Sequence, residues 1–99
     1  VRVFYYQRSG FAKTSPYAGA WTDGAAFVGP NQDTQCRLVT DPSNATTAKD
    51  LRGGWFDAGD YNKYVNFTYS VLTDLLLAYE EAPAAWGDDY NLPESGNGV

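Results

Sequence analysis

Residues 65–80 read VNFTYSVLTDLLLAYE and carry the one sustained helical pattern in this 99-residue chain. Apolar side chains recur at the helical spacing i, i+3, i+4, i+7, at Leu72, Leu75, Leu76 and Tyr79. The pattern predicts a helix that begins between residues 61 and 66. It continues to Ala82, because Pro83 cannot extend it.

The rest of the chain supplies few partners for this helix. Further apolar residues widen its apolar face, so we expect burial on more than one side. Residues 1–8 (VRVFYYQR) suit a strand by composition, and also a helix that stops at Ser9 and Gly10. Residues 11–49 and the C-terminal tail lack periodicity and are predicted to be loops. One good helix and long loops do not enclose a core, so we expect the chain to be part of a larger helical domain.

The composition excludes several classes of function. Seven Lys and Arg against twelve Asp and Glu give a net charge of −5, and the chain has no His. An acidic chain without a basic run is a poor candidate for binding nucleic acid or an anionic membrane. Its longest strongly apolar run, residues 75–79, is far too short for a membrane span. The single cysteine, Cys36, excludes an internal disulfide and a cysteine-rich metal cage. Because the first residue is Val rather than Met, we expect a processed or cut N-terminus.

The stretch with the clearest chemical content is residues 53–64, GGWFDAGDYNKY. Asp57 and Asp60 lie at the predicted start of the helix with the spacing i, i+3, which can point both carboxylates into one cleft. The positive end of the helix dipole would help keep them ionised. Two carboxylates beside Trp55 and Tyr61 suit the activation of a water molecule next to a sugar ring. The spacing alone leaves open a second interpretation, in which one aspartate only caps the helix.

This stretch resembles the signature of glycoside hydrolase family 9, the inverting cellulases. Three further segments resemble that family, in the same order along the chain: the end of the first barrel helix at residues 4–10 (FYYQRSG), the helix after the signature at residues 65–80, and the approach to the next helix at residues 91–99 (NLPESGNGV). The resemblance implies an all-α fold, with residues 1–99 as the N-terminal part of an (α/α)6 barrel with long loops. It also implies a secreted endoglucanase that cleaves internal β-1,4-glucosidic bonds of cellulose or related β-glucans with inversion.

The resemblance also implies roles for the residues of the motif. Asp60 matches the general base, which takes a proton from the attacking water, and Asp57 matches the aspartate that helps position that water. Trp55 and Tyr61 are candidates for lining the substrate cleft, although they suit wedging the loop against neighbouring helices equally well. The family's general acid is a glutamate near the far end of the catalytic domain, which no part of this chain matches. We therefore expect the chain alone to be inactive.

A structural zinc is a feature of the family subgroup that carries an N-terminal immunoglobulin-like domain. The positions that match its Cys and His ligands are Ser9, Cys36, Arg37 and Phe56. Only Cys36 is a plausible ligand, whereas a closed zinc site needs four. The expectation is no zinc, with Phe56 packing locally and Arg37 facing solvent or an acid. The resemblance leaves open whether calcium binds elsewhere in the parent domain.

Two other interpretations remain. The chain could be a non-catalytic carbohydrate-binding or structural remnant, or part of a hydrolase active on mixed-linkage glucan or xylan. The expected partners of the enzyme are a β-1,4-glucan, the remainder of the catalytic domain and an immunoglobulin-like domain. An enzyme needs the distant glutamate, whereas a binding module does not, and the lone helix of buried character favours the enzyme.

Overall fold

The computed structural model describes residues 1–98 and contains three α-helices joined by long loops. These helices are α1 (Arg2–Tyr6), α2 (Ser15–Ala18) and α3 (Val65–Glu81). Single 3-10 turns occur at Asp33–Gln35, Ala45–Thr47 and Pro83–Ala85. Between residues 1 and 98, β pairing is confined to three isolated bridges, which are Arg8–Trp55, Lys13–Asp23 and Cys36–Lys49. The prediction of helix and loop without a sheet is confirmed for this part of the chain.

Helix α1 resolves the ambiguity of the N-terminal segment. The segment is helical only to Tyr6, and the chain then becomes extended where Ser9 N–H donates to Gly54 O at 2.9 Å and Phe56 N–H donates to Gln7 O at 2.8 Å. Gly10 has φ +66°, as expected for the residue that ends the segment. A Cβ there would lie 3.4 Å from Gly53 N, so the two loops approach closely at this glycine.

The small core lies around α1. Tyr5, Ala18 and Phe56 are its buried apolar residues. The Tyr5 ring makes edge-to-face contacts with three neighbouring rings, those of Tyr6, Phe11 and Tyr17. The residues that the 3.6 periodicity selects are not part of this core, which is made instead by aromatic residues of the N-terminal segment and the loops.

Helix α3 begins at Val65, inside the predicted window, and ends at Glu81, one residue before the predicted Ala82. No residue of α3 is buried, and Leu76 is 65% exposed. The expectation that α3 is buried on more than one side is therefore wrong within residues 1–98. The physical reason is that few elements of residues 1–98 contact α3. The turn that follows α3 does contact it, and there Trp86 packs edge-on against Tyr79 with ring centroids 6.3 Å apart.

The C-terminal loop is held against α1 and the residues just after it by two arginines. Arg2 donates to the carbonyl oxygens of Tyr90 and Asn91 at 3.1 and 2.7 Å. Arg8 forms a bidentate ion pair with Glu94, at 2.8 and 3.0 Å. Across residues 1–98, no helix is long and apolar enough to cross a bilayer.

Candidate active site

The loop that carries the two aspartates lies before α3 rather than on it. Tyr64 is the residue that precedes the first turn of α3, and no side chain caps that turn. The predicted placement of the aspartates at the helix start is therefore wrong, and so is the interpretation of either as a helix cap. The loop is instead closed by a backbone hydrogen bond from Asp57 N–H to Asn62 O at 2.8 Å. Tyr61 adopts φ +57° in this turn, a conformation that is unfavourable for a residue with a Cβ.

Asp60 is exposed, and hydrogen bonds hold both of its carboxylate oxygens. Asn62 N–H donates to Oδ1 at 3.1 Å, and Asn62 Nδ2 donates to Oδ2 at 3.1 Å. The Tyr64 hydroxyl also donates to Oδ2, at 3.2 Å. The backbone N–H of Asn62, followed by its side-chain amide, lowers the pKa of Asp60 below the ordinary value, with smaller contributions from Tyr64 and Ala58. Local hydrogen bonds therefore favour the ionised form of this carboxylate.

Asp57 lines a pocket of about 230 Å³ between α1 and α3. Trp55 and Tyr64 contribute to the same wall, and the rest of the lining is mainly apolar, from Phe4 on α1 to Leu75 on α3. Neither Asp60 nor Tyr61 lines this pocket. The structure therefore brings Asp57 and Trp55 together, while Asp60 and Tyr61 lie beside them on the exposed surface of the loop.

The two candidate substrate-binding aromatic residues have different surroundings. Trp55 packs edge-on against Phe4 of α1, with centroids 6.3 Å apart, and its indole Nε1 is buried without a hydrogen-bond partner among residues 1–98. Tyr61 packs on Phe56 at 5.1 Å but remains 60% exposed. Within the described residues, Trp55 therefore joins the loop to α1, whereas Tyr61 presents an accessible ring next to Asp60.

The four positions that match the family's zinc ligands have different surroundings. Phe56 is buried between the rings of Phe27 and Tyr61, and the Lys13 ammonium lies 5.9 Å from its ring centroid. Arg37 is exposed and donates to the carbonyl oxygen of Pro42 at 3.1 Å. The expected local packing of Phe56 and the exposure of Arg37 are confirmed.

Ser9 and Cys36 both contact Asp33, which already has a cationic partner. Ser9 Oγ donates to Asp33 Oδ2 at 3.5 Å, and Cys36 Sγ lies 3.7 Å from Asp33 O. Lys63 Nζ lies 2.5 Å from Asp33 Oδ2. An ammonium group therefore lies next to the carboxylate that Ser9 contacts. No cluster of three His, Cys, Asp or Glu residues between residues 1 and 98 is arranged to hold a metal ion.

The partner of Lys63 was not apparent from the sequence, because Asp33 lies thirty residues away. The Lys63 ammonium binds Asp33 and the carbonyl oxygens of Leu51 and Gly53, at 2.7 and 3.1 Å. The donors to Asp60 were also missed, although Asn62 and Tyr64 are only two and four residues further along the chain.

The sequence model of glycosyl hydrolase family 9 matches residues 1–95. The chain belongs to glycosyl hydrolase family 9.

Curated relatives agree with this assignment. Over 99% of its length, this family 9 chain is 37% identical to a cellulose 1,4-beta-cellobiosidase of Acetivibrio thermocellus, covering 13% of that protein. It is 35% identical over its full length to endoglucanase C of Cellulomonas fimi, covering 10% of that protein. It is also 33% identical over 98% of its length to a xyloglucan-specific endo-beta-1,4-glucanase of Bacteroides ovatus, covering 17% of that protein. The chain thus spans less than a fifth of each of these relatives. No solved structure has significant similarity to it.

Proposed function

We propose that this family 9 chain is the N-terminal part of a catalytic domain that hydrolyses internal β-1,4-glucosidic bonds of cellulose or a related β-glucan with inversion. The observation that carries this proposal is the exposed Asp60 carboxylate, held ionised by hydrogen bonds from its own loop. An ionised carboxylate with room for a water molecule is what a general base requires.

In the proposed mechanism, Asp60 takes a proton from the attacking water. The water oxygen bonds to the anomeric carbon on one face of the sugar while the glycosidic oxygen leaves from the other. Asp57, in the same loop, orients the water. An inverting pair needs its acid roughly 6.5–9.5 Å from the base, so that the water fits between them.

The general acid of this mechanism lies outside the chain. A general acid needs a raised pKa, so that it carries a proton at working pH. Arg8 has the opposite effect on Glu94, because its side-chain hydrogen bonds lower the pKa of that carboxyl. Glu94 therefore serves as an anchor for the C-terminal loop, and the chain alone is inactive.

The remainder of the catalytic domain is the first partner in this proposal. It would complete an (α/α)6 barrel and cover exposed apolar residues of α3 such as Leu76, which no element of residues 1–98 buries. An N-terminal immunoglobulin-like domain is a second partner. Secretion is part of the proposal, because an insoluble glucan can be attacked only outside the cell.

We further propose that this part of the domain holds no zinc. Arg37 is a permanent cation, Phe56 has no donor atom, and Ser9 is a weak ligand. The ion pair between Lys63 and Asp33 joins the loop that carries Phe56 to the segment that carries Cys36.

The test is to express the complete catalytic domain and to measure release of reducing ends from soluble cellulose derivatives, xyloglucan, mixed-linkage glucan and xylan. The anomeric configuration of the first product, read by proton NMR, reports inversion or retention. Asp60→Ala should abolish turnover and leave the circular dichroism spectrum unchanged. Near-parental turnover in the folded variant would refute Asp60 as the base. A parent that binds glucan without cleaving it would support the non-catalytic module.

A further inference from the structure

The Asp60 carboxylate belongs to a closed group of three side chains. Besides their hydrogen bonds to Asp60 Oδ2, Asn62 Nδ2 and the Tyr64 hydroxyl are bonded to each other, with Asn62 donating at 3.1 Å. The hydroxyl therefore accepts from the amide and donates to the carboxylate. An exposed aspartate without such contacts is free to change rotamer, so this arrangement selects one orientation of Asp60.

Both donors are themselves fixed in place. The carbonyl of Asn62 accepts the hydrogen bond from Asp57 N–H that closes the loop, at 2.8 Å. Tyr64 immediately precedes α3, and its ring packs against Phe67 in the first turn of that helix, with centroids 5.4 Å apart. The hydroxyl that reaches Asp60 is thus anchored to a helix, while the amide is anchored to the loop.

We propose that Asn62 and Tyr64 are positioning residues for Asp60, which hold its carboxylate in the orientation needed to accept the proton of the attacking water. This inference rests on the proposed function, in which Asp60 is the base. Asn62 Nδ2 and the Tyr64 hydroxyl both donate to Oδ2, whereas the Asn62 N–H donates to Oδ1. Neither side chain occupies Oδ1, so the water proton is assigned to that oxygen.

The hydrogen bonds to Asp60 also predict how kcat/KM depends on pH. The charged groups near this loop are the second carboxylate, Asp57, and the ammonium of Lys63, which pairs with Asp33. The Tyr64 phenol is the third titratable group and bonds directly to Asp60. Because hydrogen bonds to the ionised form lower the pKa of Asp60, their removal should raise it and move the acid limb of the kcat/KM profile to higher pH.

The experiment compares Tyr64→Phe and Asn62→Ala in the complete catalytic domain, with Tyr69→Phe and Asn66→Ala on α3 as matched controls. Tyr64→Phe removes only the hydroxyl and keeps the ring on Phe67, so it tests the inference even if Asn62→Ala fails to fold. We expect each of the two variants to lower kcat by up to roughly 100-fold, with KM changed little, and to shift the acid limb upward. The controls should match the parent.

Three outcomes separate the hypotheses. An unchanged kcat and acid limb in both variants, with Asp60→Ala inactive, would overturn the positioning role and leave Asp60 as the base. A raised KM at constant kcat would assign Asn62 and Tyr64 to substrate binding and also overturn the inference. Activity retained in Asp60→Ala would refute the proposed function itself.

Discussion

Lys63 Nζ lies 2.5 Å from Asp33 Oδ2, although thirty residues separate them in the sequence. The ammonium has three donors, and the carbonyl oxygens of Leu51 and Gly53 accept the other two. Both ionic side chains are largely shielded, with 24% and 17% of their surface exposed. One lysine therefore joins the loop before α3 to the segment around Asp33 and to the start of its own loop.

Replacing this lysine should destabilise the protein. Lys63→Met keeps much of the side-chain volume but leaves the Asp33 carboxylate and two carbonyl oxygens without their donor, at a cost of about 2 kcal/mol. The measurement is the urea midpoint of the complete domain. Lys49→Met is the control, because Lys49 is exposed and pairs with Cys36 through its backbone. Equal midpoints for the two variants would show that the ion pair contributes nothing.

Restoring one histidine should not restore a zinc site. Phe56→His would add one imidazole to the potential ligand Cys36, but Ser9 and Arg37 would remain unsuitable as ligands, and the Lys13 ammonium lies against the Phe56 ring. Elemental analysis after dialysis should find less than stoichiometric zinc in the variant and in the parent. Tight, stoichiometric zinc in either protein would contradict the proposed metal-free packing.

Replacing Asp57 should lower the rate of glucan hydrolysis without lowering the stability of the domain to a similar degree. Asp57 is exposed, so Asp57→Ala should leave the melting temperature nearly unchanged. If Asp57 orients the water, turnover should fall by two or more orders of magnitude, roughly the cost of misplacing a reacting group. Steady-state kinetics on a soluble glucan checks this. A folded Asp57→Ala enzyme with parental kcat would exclude the water-orienting role.

The Tyr5 hydroxyl is buried without a hydrogen-bond partner in the described part of the chain. Tyr5→Phe removes that unpaired group and keeps the ring contacts, so stability should stay equal or rise by about 1 kcal/mol. Tyr5→Ala should lose about 3–5 kcal/mol, because it leaves a cavity in the small core. Urea denaturation of both variants measures these changes in the free energy of unfolding. A clear loss of stability in Tyr5→Phe would mean that the hydroxyl has a partner in the complete domain.

Asp88 should make the C-terminal loop sensitive to acid. Backbone N–H groups of Gly98 and Gly96 donate to its carboxylate, in that order of effect, and lower its pKa. A group whose folded pKa is depressed stabilises fully above its unfolded pKa, about 4, and that contribution is lost as the pH falls through the folded value. The difference in melting temperature between the parent and Asp88→Asn should be constant above about pH 5 and shrink below pH 4. A pH-independent difference would contradict this assignment.

The local part of the architecture was predictable from the chain alone. The position of α3 follows from its apolar spacing and from Pro83, because both act within a few residues of each other. The family follows from motifs that are contiguous in sequence. Most of the remaining chain could be recognised as loop, since it lacks any periodicity, but helix α2 (Ser15–Ala18) lies in the predicted loop of residues 11–49 and was missed, because a single helical turn is too short to show a period.

Residues 1–8 show where local information ends. Their composition suits a strand and a helix equally, and packing of Tyr5 among Tyr6, Phe11 and Tyr17 accompanies the helical outcome. Composition alone cannot rank these alternatives, because the contacts that distinguish them come from residues outside the segment.

The candidate site also has one part that the sequence predicts and another that depends on the tertiary structure. The sequence by itself determined that Asp57, Asp60, Asn62 and Tyr64 are neighbours, since they belong to one loop. Only the tertiary structure decided that Asp60 is held by hydrogen bonds before α3 begins, and that Lys63 turns to Asp33. The reason is that side-chain pairing depends on how the backbone turns, both within the loop around Asp60 and between Lys63 and the distant Asp33, which spacing along a chain does not specify.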